Sequence, residues 1–130
     1  MKKLFISLFA VFFALATPAS AATGPISTTG SSCGFGIVTI QGQQYIYAHG
    51  ATALTTPETR FYDQVYIGVS LSKNDSLVNF VQDSYYNANS AYITTGDFLF
   101  DPTATYKCTS LHRVHDGNSI YTFENGRTRQ

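Results

Sequence analysis

The sequence contains no tryptophan, only two cysteines and few charged side chains. Asp, Glu, Lys and Arg make up 12% of the 130 residues. Lys2 and Lys3 supply two of the eight cationic side chains, so the chain from residue 22 onward keeps six cations against eight acids, a net charge of −2. This balance argues against non-specific nucleic-acid binding, which requires a clustered positive field. The aromatic fraction of 15% together with sparse charge excludes intrinsic disorder.

Only one long apolar run is present, and it lies at the N-terminus. Two lysines precede the apolar residues 4–16, and Ala19-Ser20-Ala21 provides an A-x-A cleavage site. The run has about thirteen residues, whereas a membrane span needs about twenty. The pattern predicts a signal peptide over residues 1–21, a flexible polar leader over 22–32 and one domain over 33–130. The protein is therefore expected to be secreted, with no membrane attachment after cleavage.

No helical period of useful length follows Cys33, whereas a period of two is clear. In the segment 63–73, Val65, Ile67, Val69 and Leu71 alternate with smaller or polar residues, among them Ser70. Alternate side chains of a strand point to opposite faces, so this strand should bury its aliphatic face and expose the other. Seven strands are predicted, over residues 35–40, 44–54, 63–73, 77–86, 91–100, 105–115 and 119–125.

Turn residues separate these strands at short and regular spacing. The segment 73–76 reads as a turn, and Asp116-Gly117-Asn118 predicts a hairpin between the last two strands. Arg127 and Arg129 are expected to form a solvated tail. The prediction is an all-β antiparallel sandwich of about seven strands, either immunoglobulin-like or a small barrel.

Cys33 and Cys108 are the only thiols, and an exported protein meets an oxidising environment. A disulfide between them is the expected state, with a reactive thiol as the alternative. No C-x-x-C motif is present.

Tyr106-x-Cys108 opens the penultimate predicted strand and resembles the Tyr-x-Cys motif of immunoglobulin-like sandwiches. In that superfamily the cysteine bridges the two sheets. The characteristic tryptophan is absent here, and Cys33 lies earlier than the first cysteine of that pattern, so the resemblance implies a sandwich rather than an immunoglobulin domain.

A second resemblance covers more of the chain. It rests on Cys33-Gly34, the alternating strand from Val65 to Leu71, Tyr106 and the segment LHRVHDG with His112. These features resemble an uncharacterised family of small secreted β-proteins from Gram-positive bacteria. The resemblance implies a secreted bacterial β domain and brings no catalytic residues.

No motif indicates catalysis, a cofactor or a metal. His112 and His115 are three residues apart and should lie on opposite faces of a strand, so they should not chelate one ion. A G-x-S-x-G elbow is absent from the sequence. The acidic residues Asp97, Asp101 and Asp116 fall at predicted turns, where carboxylates usually cap the backbone. Catalytic, cofactor and metal residues are therefore predicted to be none.

Tyrosine is the unusual component of this composition. If Ile46 and Val65 face the core, Tyr45, Tyr47, His49 and Tyr66 should face solvent. Antiparallel pairing of the two strands should bring Tyr66 opposite Tyr45 or Tyr47, so these side chains should form one strip. The leading hypothesis is a monomeric, non-enzymatic extracellular binding domain that uses this strip to contact a glycan or a protein. The alternatives are a secreted toxin, bacteriocin or inhibitor, and thirdly a hydrolase.

Overall fold

The computed structural model describes residues 24–55 and 60–130, which form eight strands and no helix. The strands are β1 (Ser32–Ile40), β2 (Gln43–Thr52), β3 (Tyr62–Lys73), β4 (Ser76–Ala88), β5 (Ala91–Thr94), β6 (Phe98–Leu99), β7 (Tyr106–Asp116) and β8 (Ser119–Arg129). The predicted signal peptide lies outside the described residues. Within them, no helix is long and apolar enough to cross a membrane.

Two antiparallel sheets form a sandwich, as predicted. The first sheet has the order β1-β2-β5, with β6 also pairing with β2, and the second has the order β4-β3-β7-β8. No described strand belongs to both sheets, so the structure is not a closed barrel. The eight strands exceed the seven predicted because residues 91–100 form two short strands.

Tight turns connect the paired neighbours. Gln41 and Gly42 join β1 to β2 with φ values of 50° and 82°, and Asn74 and Asp75 join β3 to β4 with 49° and 64°. Two consecutive positive φ values match the right-handed twist of the flanking strands. Gly117 adopts a φ of 59° in the predicted hairpin between β7 and β8.

The core lies between the sheets and is built from the alternation seen in the sequence. Val65, Ile67, Val69 and Leu71 all have no exposed surface, as predicted. Ile46 and Ala48 of β2 meet them from the first sheet. Full burial of aliphatic side chains of this size stabilises the folded state by about 1.5–3 kcal/mol each.

The other face of β3 is less exposed than the alternation predicts. Ser70 is 8% exposed, and its hydroxyl is hydrogen-bonded to that of Thr109 on β7. Gly68 is also buried, because the Tyr66 hydroxyl and the Phe80 ring of β4 lie over it. The expectation of a solvent-facing Ser70 is therefore wrong: side chains of the neighbouring strands cover the middle of this face.

The predicted disulfide is present between Cys33 and Cys108, with a Cα–Cα distance of 6.2 Å. It connects β1 to β7 and so links the two sheets. Two residues earlier, the buried Tyr106 hydroxyl accepts a hydrogen bond from the Asp101 amide at 2.9 Å. This bond fixes the turn that precedes β7.

Residues 24–32 pack against the domain. The sequence pattern instead predicts a flexible polar leader over residues 22–32. Ile26 is 2% exposed and forms a bridge with Leu54. The Ser27 amide donates to the Ala53 carbonyl at 2.8 Å. The buried Ile26 side chain and the hydrogen bonds to Ala53 and Thr55 anchor this segment, and β1 begins at Ser32.

Two further boundaries differ from the sequence prediction. Residues 91–100 do not form one strand, because the Thr95 hydroxyl accepts the hydrogen bond of the Ala48 amide and interrupts the ladder. Arg127 and Arg129 are not a free tail: β8 continues to Arg129 and pairs with β7 along its whole length.

Candidate functional site

The outward residues of β2 are those predicted from its alternation. Ile46 and Ala48 are buried, whereas Tyr45, Tyr47 and His49 are partly exposed on the outer face of the first sheet. The pleat places these three side chains on one face.

Tyr66 does not join them, so the predicted four-residue strip is wrong. Tyr66 lies on β3, which pairs with β4 and β7 and belongs to the second sheet. Its outward side chain therefore lies on the opposite side of the sandwich from Tyr45, Tyr47 and His49. The physical reason is that β2 and β3 lie in different sheets instead of pairing with each other as a hairpin.

Three rings on the first sheet form a cluster, here called the aromatic platform: Tyr47, His49 and Tyr92. The ring centroids of Tyr47 and His49 are 6.2 Å apart, and those of His49 and Tyr92 are also 6.2 Å apart. The His49 and Tyr92 planes differ by only 29°, whereas the Tyr47 and His49 planes differ by 51°. Tyr92 is 55% exposed.

Two glycines of β1 lie beneath two members of the aromatic platform, Tyr47 and His49. Gly34 pairs with His49, and Gly36 pairs with Tyr47. A Cβ atom at Gly34 would collide with the His49 ring, and one at Gly36 would collide with the end of the Tyr47 side chain. The rings therefore lie over bare backbone, an arrangement that a larger residue in β1 would prevent.

Tyr92, Gly34 and Gly36 were not identified from the sequence. Tyr92 carries a usable signal, since it alternates with Ala91 and Ile93 of the same strand, which face the core. Its proximity to His49 depends on the β2–β5 register, in which His49 pairs with Thr94 and Ala51 pairs with Tyr92. No local pattern reveals such a register.

Apolar side chains extend the aromatic platform along the sheet. Tyr45 pairs with Val38 on one side and with Leu99 on the other, and Leu99 is 60% exposed. The Tyr45 hydroxyl donates to Gln43 Oε1 at 3.2 Å. This surface combines exposed apolar area with hydroxyl and imidazole groups at its edges.

Tyr66 has a different environment on the second sheet. Its hydroxyl donates to Gln82 Oε1 at 2.8 Å, and the Arg113 guanidinium lies 5.5 Å from its ring centroid. Burial raises the pKa of Tyr66, and the Arg113 charge opposes this shift. The side chain is thus held by its neighbours, which favours a structural role.

His112 lies in the interior with no exposed surface. Its Nδ1 is 2.7 Å from the Thr52 hydroxyl and its Nε2 is 2.8 Å from the Ser110 hydroxyl. Burial lowers the pKa of His112 to about 4, so the ring is neutral at pH 7. A neutral imidazole donates through one nitrogen and accepts through the other, which satisfies both contacts. Ser110 and Thr52 are also buried, so this Ser-His pair cannot meet a substrate.

The described residues contain no group of three or more His, Cys, Asp or Glu side chains that could hold a metal ion. His112 and His115 lie on opposite faces of β7, with His112 in the core and His115 partly exposed. Asp101 accepts hydrogen bonds from Thr103, which, with the neighbouring Lys73, lower the pKa of its carboxyl to about 2. This carboxylate caps a turn, the role expected from its position.

No protein-family model and no curated protein matches this chain. Among solved structures, the solution structure of AT1g01470 from Arabidopsis thaliana is similar over 88% of this chain and 87% of that chain. The sequence identity is 6% and the TM-score is 0.47. A similarity this distant assigns neither a fold family nor a function.

Proposed function

We propose that this protein is a secreted, non-enzymatic domain that binds a glycan on the outer face of its first sheet. The observation that carries the proposal is the aromatic platform: Tyr47, His49 and Tyr92 lie side by side on the outer face. The rings of Tyr47 and His49 lie directly over Gly36 and Gly34. Exposed rings of this kind present flat apolar surface with polar groups at the rim. The C–H faces of a pyranose can pack on such rings while its hydroxyls bond to the phenol and imidazole groups.

Charge favours a glycan over a nucleic acid as the ligand. Neighbouring bases could also stack on such rings, but phosphate contacts normally supply most of that affinity. The outward positions of β1, β2, β5 and β6 carry no Lys or Arg. The mature chain is also net negative, as counted from the sequence.

The scaffold supports export and rigidity. The Cys33–Cys108 disulfide is of a kind that persists in oxidising compartments, and the N-terminal sequence has the features of a signal peptide. The adjacency of β2 with β5, the order β3-β7-β8 and the Tyr106 hydrogen bond favour an immunoglobulin-like arrangement. A rigid sheet keeps the rings in place before the ligand arrives, which limits the entropy cost of binding.

A glycan array probed with the untagged domain, followed by calorimetry on the best ligand, tests this function. Tyr92→Ala should weaken binding about tenfold or more, equivalent to about 1.4 kcal/mol. Tyr86→Ala is the matched control, because Tyr86 is 74% exposed but lies on the second sheet. The proposal fails if Tyr86→Ala weakens binding as much as Tyr92→Ala, or if no glycan binds.

A second variant tests the geometry rather than the ring itself. Gly36→Ala should displace Tyr47 and weaken binding while both tyrosines remain. Gly126→Ala is its control, since a Cβ at Gly126 would have only ordinary contacts. Undiminished binding by Gly36→Ala would exclude Tyr47 from the contact surface.

A further inference from the structure

A cleft opens along one side of the sandwich, between the edge strands β1 and β8 of the two sheets. At one end, Asn125 Nδ2 donates to the Ser31 carbonyl at 3.1 Å and holds the two edges together. Beyond this contact lies a half-open cavity of about 400 Å³ lined by Phe35, Arg127, Thr128, Arg129 and Gln130. Its volume lies within the range of small-molecule sites, about 300–1,000 Å³.

Both arginines lie on the inward-facing side of β8. Arg127 pairs with Cys108, and Arg129 pairs with Tyr106, and these two partners are buried in the core. Directly paired residues share a face, so the arginine side chains leave β8 toward the first sheet. They reach the open side of the sandwich, where they line the cavity and remain exposed.

The two guanidinium groups lack acidic partners among the described residues. Arg60 forms an ion pair with Asp116, and Lys73 forms one with Asp101 at 3.2 Å. Neither Arg127 nor Arg129 forms an ion pair within residues 24–55 and 60–130. The Arg129 guanidinium lies 5.4 Å from the Phe100 ring centroid, which orients it. The cavity thus has two cationic groups, one of them held in place, and an apolar wall at Phe35.

This combination fits a small ring compound that carries a carboxylate. Guanidinium groups bind carboxylates through paired, charge-assisted hydrogen bonds. Phe35 offers a hydrophobic contact for the ring that bears the acid. Its neighbours in β1, Gly34 and Gly36, underlie His49 and Tyr47 on the other face of the strand. The cleft and the aromatic platform therefore flank the same edge strand.

We infer that the β1–β8 cleft binds the carboxylate of an acidic sugar residue. The sugar part of this inference rests on the proposed function, whereas the carboxylate part stands on the two arginines and the cavity. A glycan that crosses the β1 edge would contact the aromatic platform with its neutral residues and the cleft with its acidic residue.

The test is an NMR titration of the ¹⁵N-labelled, untagged mature domain with sodium glucuronate, at fixed ionic strength. Gln130 lines the cavity, so a C-terminal tag must be absent. Glucuronate should shift the amide signals of Phe35 and residues 127–130, and glucose at the same concentration should not. The double variant Arg127→Gln/Arg129→Gln should weaken glucuronate binding about tenfold or more, equivalent to the loss of one charged hydrogen-bonded contact.

Lys107→Gln/Arg113→Gln is the matched control, because it removes the same charge from the outer face of the second sheet. Equal weakening by both double variants would show non-specific charge attraction and overturn the inference. Unchanged glucuronate binding in Arg127→Gln/Arg129→Gln would overturn it as well.

Two further readings separate this inference from the proposed function. Glucuronate shifts at residues 127–130 that persist in Tyr92→Ala support the cleft independently of the aromatic platform. Acetate that binds the cleft as tightly as glucuronate contradicts the sugar part. If a neutral glycan shifts only amide signals of β2 and β5 while glucuronate shifts none in β8, the result supports the aromatic platform and overturns the cleft.

Discussion

The outer faces of the two sheets use the same residue type in opposite ways. On the first sheet, the partly exposed Tyr47 and His49 lie over glycine backbone and form a row with the exposed Tyr92. On the second sheet, Tyr66 is half-buried, hydrogen-bonded to Gln82 and close to Arg113. A tyrosine whose hydroxyl and ring already contact protein groups offers few free hydrogen-bonding or stacking positions to a ligand. The difference supports placing the binding surface on the first sheet.

The contrast extends to what surrounds the rings. The centre of the second sheet's outer face is closed by Phe80 over Gly68 and by the Ser70–Thr109 hydrogen bond. On the first sheet, the nearest groups over Gly34 and Gly36 are the His49 and Tyr47 rings of the aromatic platform itself. Glycine in a strand weakens the sheet, and its position often marks a close approach of another group. Here the approaching groups are the rings.

The largest expected effect comes from separating the sheets. Replacing Cys33 and Cys108 together by Ala should lower the free energy of unfolding by about 2–5 kcal/mol. Without the disulfide, the unfolded chain is no longer closed into a long loop and gains conformational entropy. Chemical denaturation of the oxidised domain and of the variant measures the difference. A loss well under 1 kcal/mol would mean that the sheets hold together without the covalent link. Mass spectrometry of the wild-type domain should find no free thiol.

Acid should loosen the same contact between the sheets through His112, which bridges Thr52 of β2 and Ser110 of β7. Its pKa is about 4 when folded and about 6.5 when unfolded, so the unfolded chain takes up the proton first. The contribution of His112 to stability is complete above about pH 6.5 and is lost as the pH falls toward 4. By linkage, the loss over this window is about 3 kcal/mol.

Urea unfolding at pH 7.5, 5.5 and 4.0 measures this slope. His112→Gln should be less stable at pH 7.5 but should lose less stability on acidification, since His49 and His115 remain in both proteins. Parallel pH profiles for the two proteins would contradict the assignment of the slope to His112.

Removing a hydrogen bond from the outer face of the second sheet should have a smaller effect. Ser70→Ala should cost about 1 kcal/mol, because it removes the partner of a part-buried Thr109 hydroxyl. Ser76→Ala, at an exposed strand start, is the control and should change stability by less than about 0.5 kcal/mol. Equal unfolding midpoints for the two variants would mean that the face is as open as the sequence pattern predicts.

Alternation in the sequence predicts which side chains of β2 and β3 face inward. The two cysteines of an exported chain predict the disulfide, and the turn residues Asp116-Gly117-Asn118 predict the hairpin. Alternation could not assign the strands to sheets, because Ile46 and Val65 point to the core equally well from one sheet or from two. The crossing between β2 and β3 depends on contacts far apart in sequence, such as β3 with β7. For the same reason, Tyr45, Tyr47 and His49 were grouped correctly from their shared strand, whereas Tyr66 was added wrongly and Tyr92 was missed.

The smallest effect gives the most direct comparison of the two faces, since it changes one oxygen atom on each. Tyr66→Phe should cost about 0.5–1.5 kcal/mol, because the Gln82 side chain loses a donor at a half-buried site. Tyr47→Phe should change stability by less than about 0.5 kcal/mol. The Tyr47 hydroxyl lies against Gly36 and has no hydrogen-bond partner among the described residues. Alkaline absorbance titration adds an independent readout: burial raises the pKa of Tyr66, so Tyr66→Phe should remove a late-titrating tyrosine from the wild-type profile. If the two variants unfold at the same urea concentration and the late-titrating tyrosine persists in Tyr66→Phe, the faces are equivalent, and the argument for placing the ligand on the first sheet loses its basis.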